Sequence, residues 1–228
     1  MRQRAVTRIG LAIFVKTPGH SALKTRLATA IGRDDAEAFH RLAAHAVAAV
    51  ARAARARIPG MAPMWAVAET DALDAPDWAG LPRVAQGDGD LGARMRQVTQ
   101  ALCATHGAAL LLGADAPQLC SDDLVAALEA LDAHEHVIGP SADGGFWLFG
   151  TRVPVPAAAW SGTPWSHPDT ARTFVAALGA PIMQLRTLRD ADTAGDLPPL
   201  LAALDALPDP LPEQARLAQW LRKLQMPR

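Results

Sequence analysis

The sequence predicts an α/β protein with a mostly parallel mixed sheet, and three observations support this fold class. Short apolar runs of strand length alternate with longer segments of helical periodicity, which indicates parallel βαβ units. Residues 110–113 form an apolar run that is followed closely by Asp115, as expected where a buried central strand leaves a sheet. The Asp-Gly-Gly turn at 143–145 lies between two short apolar runs and indicates an antiparallel insertion.

Predicted strands and helices follow one another along the whole chain. The predicted strands comprise residues 9–15, 61–68, 82–85, 108–113, 137–139, 146–149 and 182–185. The predicted helices comprise residues 22–31, 34–57 and 93–105, one that begins at 121, one from 166–169 to about 178, and a proline-bearing tail. Gly32 suits a C-terminal cap, Asp34 with Glu37 a capping box, and Ser121 an N-cap.

The length of the chain suits one domain with a sizeable core. We expect a single domain over residues 1–228, with a core of about 9–197 and a helical C-terminal tail over 198–228. The composition, 50% apolar and 20% charged, is ordinary for a globular protein. The net charge of −1 creates no field that would attract nucleic acid or an anionic membrane, so we expect neither as a partner.

Cysteine usage and the N-terminal segment indicate a cytoplasmic protein. Cys103 and Cys120 have neither metal-ligand spacing nor the pattern of a disulfide framework. Residues 1–8 are basic, but the apolar stretch after them is too short for a signal peptide. No segment reaches the ~20 apolar residues of a membrane-spanning helix.

The loop after the first strand has the features of a phosphate site. A Pro-Gly turn and several basic residues precede a predicted helix, whose N-terminus favours anions. The candidate phosphate ligands in this loop are Lys16, Gly19, Lys24, Thr25 and Arg26. Leu23 stands where an ATPase P-loop requires glycine, so a P-loop ATPase is not predicted. A solvated basic helix face explains these residues equally well.

A second glycine-rich segment, residues 86–92, leads into the third predicted helix. Its glycines allow the backbone to approach a ligand, and Gln86, Gly87 and Asp88 are candidate nucleotide contacts. Asp88 would repel a phosphate unless a metal ion lay between them. An ordinary flexible loop, with Asp90 as the helix cap, is the alternative.

Asp115 is the strongest candidate for a metal ligand. Ligands bind at the carboxyl ends of strands in open α/β sheets, and Mg²⁺ is held by one or two carboxylates together with phosphates and water. Asp190 and Asp192 follow the last predicted strand, and either could supply a second carboxylate. Asp192 is the better candidate because Thr193 and Asp196 can form the next capping box without it. Asp115 could also be only a turn former.

The turn at 143–145 is the candidate acceptor side. Asp143 could orient or deprotonate an acceptor nucleophile, with Gly144, Gly145 and Trp165 as further contacts. An Asp-Gly hairpin turn and an ordinary core tryptophan are the alternatives. No Ser-His-Asp or Cys-His arrangement is evident, and no histidine is assigned a role.

In this order the motifs resemble an uncharacterised family of GT-A-like transferases. Its members are labelled nucleotide-diphospho-sugar transferases or radical-SAM/selenodomain-associated transferases. The motifs are Phe14-Val-Lys-Thr-Pro-Gly19, Lys24-Thr-Arg-Leu27, Gln86-Gly-Asp-Gly-Asp-Leu-Gly-Ala-Arg-Met95, Gly113-Ala-Asp-Ala-Pro117, Gly139-Pro-Ser-Ala-Asp-Gly-Gly-Phe-Trp-Leu148 and Asp190-Ala-Asp-Thr193. The resemblance covers residues 9 to about 197 and extends to nucleotide-sugar glycosyltransferases and to nucleotidyltransferases of the molybdenum-cofactor and phospholactate type.

The resemblance implies a GT-A-like three-layer α/β/α sandwich and roles for several residues. Lys24 and Arg26 would hold nucleotide phosphates, Asp115 would bind Mg²⁺ or Mn²⁺, and residues 143–145 would line the acceptor side. The chain departs from both larger groups. Asp115 stands alone where glycosyltransferases commonly show Asp-x-Asp, and the first loop has a single glycine, Gly19, where nucleotidyltransferases are glycine-rich.

The sequence therefore predicts a metal-dependent transferase that uses a nucleotide-activated donor and a small-molecule acceptor. Lys24, Asp115 and Asp143 are the candidate catalytic residues, and Asp115 with Asp192 the candidate metal ligands. Glycosyl transfer from a nucleotide-diphospho-sugar is favoured, with nucleotidyl transfer as the alternative. A nucleotide-binding protein without catalysis is the alternative of another class. The oligomeric state stays open.

Overall fold

A computed structural model describes residues 8–224; the basic segment 1–7 and residues 225–228 lie outside them. The strands are β1 (Ile9–Val15), β2 (Met61–Val67), β3 (Arg83–Ala85), β4 (Ala109–Gly113), β5 (His136–Pro140), β6 (Phe146–Thr151) and β7 (Ile182–Gln184). The helices are α1 (Thr25–Ile31), α2 (Arg33–Arg57), α3 (Leu91–His106), α4 (Ser121–Ala133), α5 (Ala157–Ser161), α6 (Thr170–Leu178), α7 (Leu197–Asp205) and α8 (Pro212–Lys223). Short 3₁₀ turns occur at Thr70–Ala72, Pro76–Trp78 and Ala194–Asp196.

The strands form one mixed sheet in the order β3-β2-β1-β4-β6-β5-β7. Neighbouring strands are parallel except where β6 lies between β4 and β5, to which it is antiparallel. The antiparallel strand follows the turn at 143–145, as its sequence indicates. The predicted fold class, an α/β protein with a mostly parallel mixed sheet, is confirmed.

Helices cover both faces of the sheet because successive strand residues point to opposite sides. Leu11 and Ile13 of β1 pack in one core with α2 and α4, whereas Ala12 lies in the core formed with α3, α5 and α6. These are the three layers of an α/β/α sandwich. Within residues 8–224, no helix has both the length and the hydrophobicity that crossing a bilayer requires.

The segment predicted as a helical tail contains α7 and α8, which pack against α1 and α2. Leu200 and Leu217 of these helices share a third buried cluster with Leu27 and Phe39. The buried Gln214 of α8 donates from Nε2 to the carbonyl oxygens of Pro117 and Leu119, at 2.8 and 2.9 Å. The last helix therefore holds the backbone that follows β4.

Several predictions about helix N-termini are wrong at the level of single residues. The first helix begins at Thr25 and not at 22, because Lys24 adopts the left-handed conformation, with φ of 46°. Asp34 and Glu37 form no capping box, since the helix already begins at Arg33, which pairs with Glu37 at 2.8 Å. Helix α4 begins at Ser121 as predicted, but its N-cap is Cys120 and not Ser121.

Asp123 should stabilise the fold through its charge. Its carboxylate accepts from the Cys120 N–H at 2.7 Å and pairs with Arg186, and 7% of its side chain is exposed. Although burial raises the pKa of Asp123, its hydrogen bonds and charge pairing with Arg186 and Cys120 lower it overall. A depressed folded-state pKa gives stability that is present above the unfolded value and lost as the pH falls through the folded value.

We expect Asp123→Asn to lower the free energy of unfolding at pH 7 by about 1–3 kcal/mol, measured by urea denaturation. The difference from the unsubstituted chain should shrink as the pH falls below about 4. The control is Asp122→Asn, because 78% of the Asp122 side chain is exposed and its pair with Arg57 lies at the surface. Equal losses in the two variants would contradict the prediction.

Candidate functional site

A cleft of about 740 Å³ opens where the central parallel strands end. Lys16 directly follows β1, and Asp115 follows β4 after one intervening residue. Asp190 and Asp192 reach the same cleft from the segment after β7. The volume lies within the range of small-molecule sites, and the position is the one that ligands take in open α/β sheets.

Most of the candidate phosphate, metal and acceptor residues meet in this cleft. Its walls include Lys16, Lys24, Thr25, Arg26, Gln86, Asp115, Asp143, Gly145, Trp165 and Asp192. Four other candidates lie elsewhere. Gly19 borders a neighbouring shallow pocket, Gly87 and Asp88 lie in the turn before α3, and Gly144 packs against Pro168.

Lys24 is a buried ammonium group at the base of the cleft. Its side chain is 4% exposed, and Nζ lies 2.9 Å from Asp115 Oδ2 and 3.2 Å from Asp192 Oδ1. It also donates to the Ala191 carbonyl oxygen at 2.7 Å. Burial alone would lower the pKa of Lys24 and raise that of Asp115, but their mutual attraction outweighs it, so the Lys24 pKa is raised and the Asp115 pKa lowered. Lys24 is therefore charged.

The position of Lys24 changes the predicted metal pair. Its ammonium group binds one oxygen of Asp115 and one of Asp192, and Arg26 Nη1 lies 3.5 Å from the other oxygen of Asp192. Cations of the chain thus neutralise Asp192 from both sides. The Asp115–Asp192 pair offers less to a metal ion than the sequence indicates, because the Lys24 ammonium group already binds both carboxylates.

Asp115 and Asp190 each retain a buried carboxylate oxygen with no hydrogen-bond partner among the described residues. Burial raises the pKa of Asp190 to about 7; the nearby Ser141 hydroxyl lowers it, and the charges of Asp115 and Asp143 raise it. Ser141 Oγ makes no well-formed hydrogen bond in the described chain. The Ala191 N–H donates to the Asp115 carbonyl oxygen at 3.1 Å and joins the two segments.

These two carboxylate oxygens are not bound to a cation of the described chain, so their chemistry suits a hard divalent cation. Within residues 8–224, no cluster of three or more His, Cys, Asp or Glu side chains could hold a metal ion. Mg²⁺ needs no such cluster, because one or two carboxylates, substrate phosphates and water complete its coordination. The donor set therefore suits a metal ion that binds together with a phosphorylated ligand.

His40 is a cleft residue that the sequence did not predict. Its Nε2 bonds to the Lys16 carbonyl oxygen at 3.0 Å, so this nitrogen carries the proton. Burial lowers the pKa of His40 despite the charge of Asp115, and the bare Nδ1 faces Asp115 Oδ1 at 4.0 Å. The sequence signal that could have indicated its burial is its helical spacing from the apolar residues Ala36, Ala43 and Val47, which are buried on the same face of α2.

Gln86 lines the cleft but is committed to the protein. Its buried Nε2 donates to the carbonyl oxygens of Val15 and Ala66, at 3.1 and 2.8 Å. Its Oε1 accepts from Arg94 Nη1 at 3.2 Å. The amide thus has both hydrogens and its oxygen bonded, so direct nucleotide binding by this side chain is not favoured. Arg94, which the sequence reasoning left without a role, lines the cleft beside it.

The candidate acceptor side is a turn packed against the loop before α6. Asp143 Oδ1 accepts from the Gly145 N–H at 2.9 Å, which fixes the carboxylate beside the turn. Gly144 has φ of 92°, and a Cβ there would lie 1.8 Å from the Pro168 carbonyl oxygen, so only glycine fits. Trp165 donates its indole N–H to the Trp160 carbonyl oxygen at 2.9 Å and offers a ligand only its ring.

Replacing Lys24 should destabilise the chain far more than replacing Arg26. Lys24→Met leaves Asp115 and Asp192 without their buried partner, and because these side chains are 38% and 45% exposed we expect a loss of about 1–3 kcal/mol of unfolding free energy. Arg26→Met removes a contact of a side chain that is 71% exposed and should cost about 0–1 kcal/mol. Urea denaturation at pH 7 measures both. Similar losses in the two variants would show that the ion pairs of Lys24 with Asp115 and Asp192 contribute no more to stability than a surface contact.

The fold is that of an α/β protein with a cleft at the strand ends. The model of the family described as "Uncharacterized protein conserved in bacteria (DUF2064)" matches residues 46–167, which is more than half of the chain. The chain belongs to this family. Among proteins with curated descriptions, none matches the sequence.

Several solved structures share the fold. A proposed nucleotide-diphospho-sugar transferase from Desulfovibrio desulfuricans superposes with a TM-score of 0.80 at 25% identity, covering 95% of this chain and 97% of that one. Rv0371c from Mycobacterium tuberculosis in complex with manganese gives 0.54 at 18% identity, with 86% and 99% covered. CMP:2-keto-3-deoxy-manno-octonic acid synthetase complexed with CTP gives 0.50 at 14% identity, with 93% and 99% covered.

The neighbours include a proposed sugar-nucleotide transferase and an enzyme with bound CTP. The two structures at 18% and 14% identity show likeness of fold alone. The predicted links to radical-SAM-associated transferases and to molybdenum-cofactor nucleotidyltransferases stay predictions.

Proposed function

We propose that the protein is a metal-dependent transferase with a nucleotide-activated donor, and that the donor is a nucleotide-diphospho-sugar. The observation that carries this proposal is the convergence of Lys24, Asp115 and Asp190 on one cleft. They come from three distant segments and combine cationic and carboxylate groups. Such a mixture suits a phosphorylated ligand accompanied by a divalent cation. The fold shared with a proposed nucleotide-diphospho-sugar transferase supports the choice of donor.

Asp115 and Asp190 would hold Mg²⁺ or Mn²⁺ through their free oxygens. A metal ion bound there would neutralise charge on the donor phosphates and orient them. Lys24 keeps Asp115 ionised and fixed by binding its other oxygen at 2.9 Å. Lys24 thus prepares the metal ligand, and Asp192 serves this function by binding the same ammonium group.

The acceptor would enter on the side of Asp143 and Trp165. The Asp143 carboxylate is exposed, and the Gly145 N–H fixes one of its oxygens, which leaves the other to accept a proton or hydrogen bond from an acceptor hydroxyl. The Trp165 ring provides an apolar contact next to it. A glycosyl group would pass from the donor to that hydroxyl oxygen, with the nucleoside diphosphate as leaving group.

Nucleotidyl transfer is the second candidate, because the CTP-bound synthetase shares the fold. In that reaction a nucleoside triphosphate is attacked at its α-phosphorus and releases pyrophosphate. Incubation with Mn²⁺, a small-molecule cell extract as the acceptor source, and either sugar nucleotides or nucleoside triphosphates separates the two by ³¹P NMR. We expect release of a nucleoside diphosphate from a sugar nucleotide. Pyrophosphate release from a triphosphate alone would favour nucleotidyl transfer.

Metal-dependent donor binding should depend on Asp190 more than on Asp192. A thermal-shift screen of nucleoside triphosphates and sugar nucleotides with Mg²⁺ and Mn²⁺ identifies the donor, because a ligand at 100 times its dissociation constant stabilises the fold by about 2.7 kcal/mol. We expect Asp190→Asn to weaken metal-dependent binding about tenfold or more, since it removes a direct metal ligand. Calorimetry on the purified variants measures the loss.

Asp192→Asn should retain most of the metal-dependent increment in donor affinity, and the exposed Asp209→Asn should retain all of it. Loss in Asp192→Asn but not in Asp190→Asn would restore the metal pair that the sequence predicts. Equal donor binding with and without metal in every variant would favour a non-catalytic nucleotide-binding protein.

A further inference from the structure

We infer that Arg94 and Lys16 form the anion subsite that receives the phosphates of the donor. This inference deepens the proposed function and rests on it for the identity of the donor. It moves the main phosphate contacts away from Lys24 and Arg26, where the resemblance places them. The ligand class is a phosphate or pyrophosphate group.

The lysine and arginine side chains that line the cleft differ in whether they already bind a carboxylate of the protein. Lys24 is paired with Asp115 and Asp192, and Arg26 lies 3.5 Å from Asp192. The contacts of Lys16 and Arg94 are with neutral oxygens: Lys16 Nζ with the Ala22 carbonyl at 3.4 Å, and Arg94 Nη1 with Gln86 Oε1 at 3.2 Å. Neither forms an ion pair within residues 8–224, although the charge of Lys16 also lowers the pKa of Asp115, so the charge of Arg94 is the more available of the two to an anion.

Gln86 holds the Arg94 guanidinium in place. Its Nε2 is fixed by two carbonyl oxygens at the ends of β1 and β2, so its Oε1 must point away from those strands. That oxygen accepts from Arg94 Nη1 and fixes one end of the guanidinium group in the wall of the cleft. The buried glutamine thus holds a cation of α3 in the wall of the cleft that Lys16 also lines.

The guanidinium keeps most of its hydrogen-bonding capacity. One of its five N–H groups goes to Gln86, and Nε approaches the Asp90 carbonyl oxygen at a long 3.4 Å. The others can bind two oxygens of a phosphate in the paired geometry that arginine favours. Arg94 is half-buried, which makes its attraction for an anion stronger than that of a fully exposed cation.

The two acidic residues of the turn before α3 form no ion pair with Arg94 in the described part of the chain. Asp90 uses its carboxylate as the cap of α3, where Oδ1 accepts from the Ala93 N–H at 2.8 Å. Asp88 is exposed in the turn before it, and its carbonyl oxygen accepts from Gln97 at 2.8 Å. The turn therefore shapes the entry to α3 and leaves Arg94 to the ligand.

Titration calorimetry with inorganic pyrophosphate, with and without Mg²⁺, tests the subsite on the purified full-length chain. We expect Arg94→Gln to weaken pyrophosphate binding about tenfold or more, because it removes charge-assisted hydrogen bonds. Lys16→Met should weaken binding in the same direction. Arg96→Gln is the matched control, since Arg96 is an exposed arginine two residues further along α3, and it should bind as the unsubstituted chain does.

Unchanged affinity in Arg94→Gln, an equal loss in Arg96→Gln, or no pyrophosphate binding by the unsubstituted chain would each overturn the subsite. Circular dichroism checks that each variant folds. Should Arg94→Gln not fold, Arg94→Lys decides: a several-fold loss supports the subsite and unsubstituted affinity overturns it. Nucleotide or sugar-nucleotide binding is measured separately. Its absence in the unsubstituted chain would remove the proposed function, whereas its presence alongside unchanged Arg94→Gln affinity would remove only the subsite.

Discussion

One buried ammonium group holds the cleft together. Lys24 Nζ binds Asp115, Asp192 and the Ala191 carbonyl oxygen within 3.2 Å. Removing charges from water is costly, and this arrangement is stable because the ammonium group has oxygen partners from two segments. Lys24 reaches them from the left-handed conformation at the start of α1, a backbone state that few residues other than glycine adopt. The left-handed backbone at Lys24 thus allows an ion-pair contact that joins the start of α1 to the segments that contain Asp115 and Asp192.

This contact explains why the segments that follow β1, β4 and β7 form a single wall. The strands bring their carboxyl ends to one edge, but only side chains and backbone hydrogen bonds set the loops relative to one another. Three contacts fix the loops: the Lys24 ammonium group binds the Ala191 carbonyl oxygen, the Ala191 N–H binds the Asp115 carbonyl oxygen, and the Gln214 amide binds the Pro117 carbonyl oxygen. Asp190 is left with an oxygen that no protein group satisfies. Such an oxygen is where a ligand gains most.

The fold could be predicted because its signals are local. Apolar runs of strand length, helical periodicity and the Asp-Gly-Gly turn each depend on residues close in sequence, and they indicated the strands and the antiparallel insertion. Lys24 and Asp115 were assigned to one cleft because both follow strands. Their direct ion pair could not be predicted, since it depends on the left-handed backbone at Lys24 and on the Ala191 carbonyl oxygen, which binds the same ammonium group. His40 and Arg94 were missed for the same reason: their roles follow from the orientation of α2 and α3, which sequence periodicity does not supply.

The hydrogen bonds of Gln214 have a consequence for the order in which the chain acquires its shape during synthesis. The carbonyl oxygens of Pro117 and Leu119 receive their donors from a helix that emerges from the ribosome about a hundred residues later. Until α8 docks, these oxygens lack their protein donors and are hydrated instead, and the loop after β4 has no support on that side. The sheet can assemble early, but the loop that carries Asp115 gains this support only after the residues of α8 have been synthesised and docked.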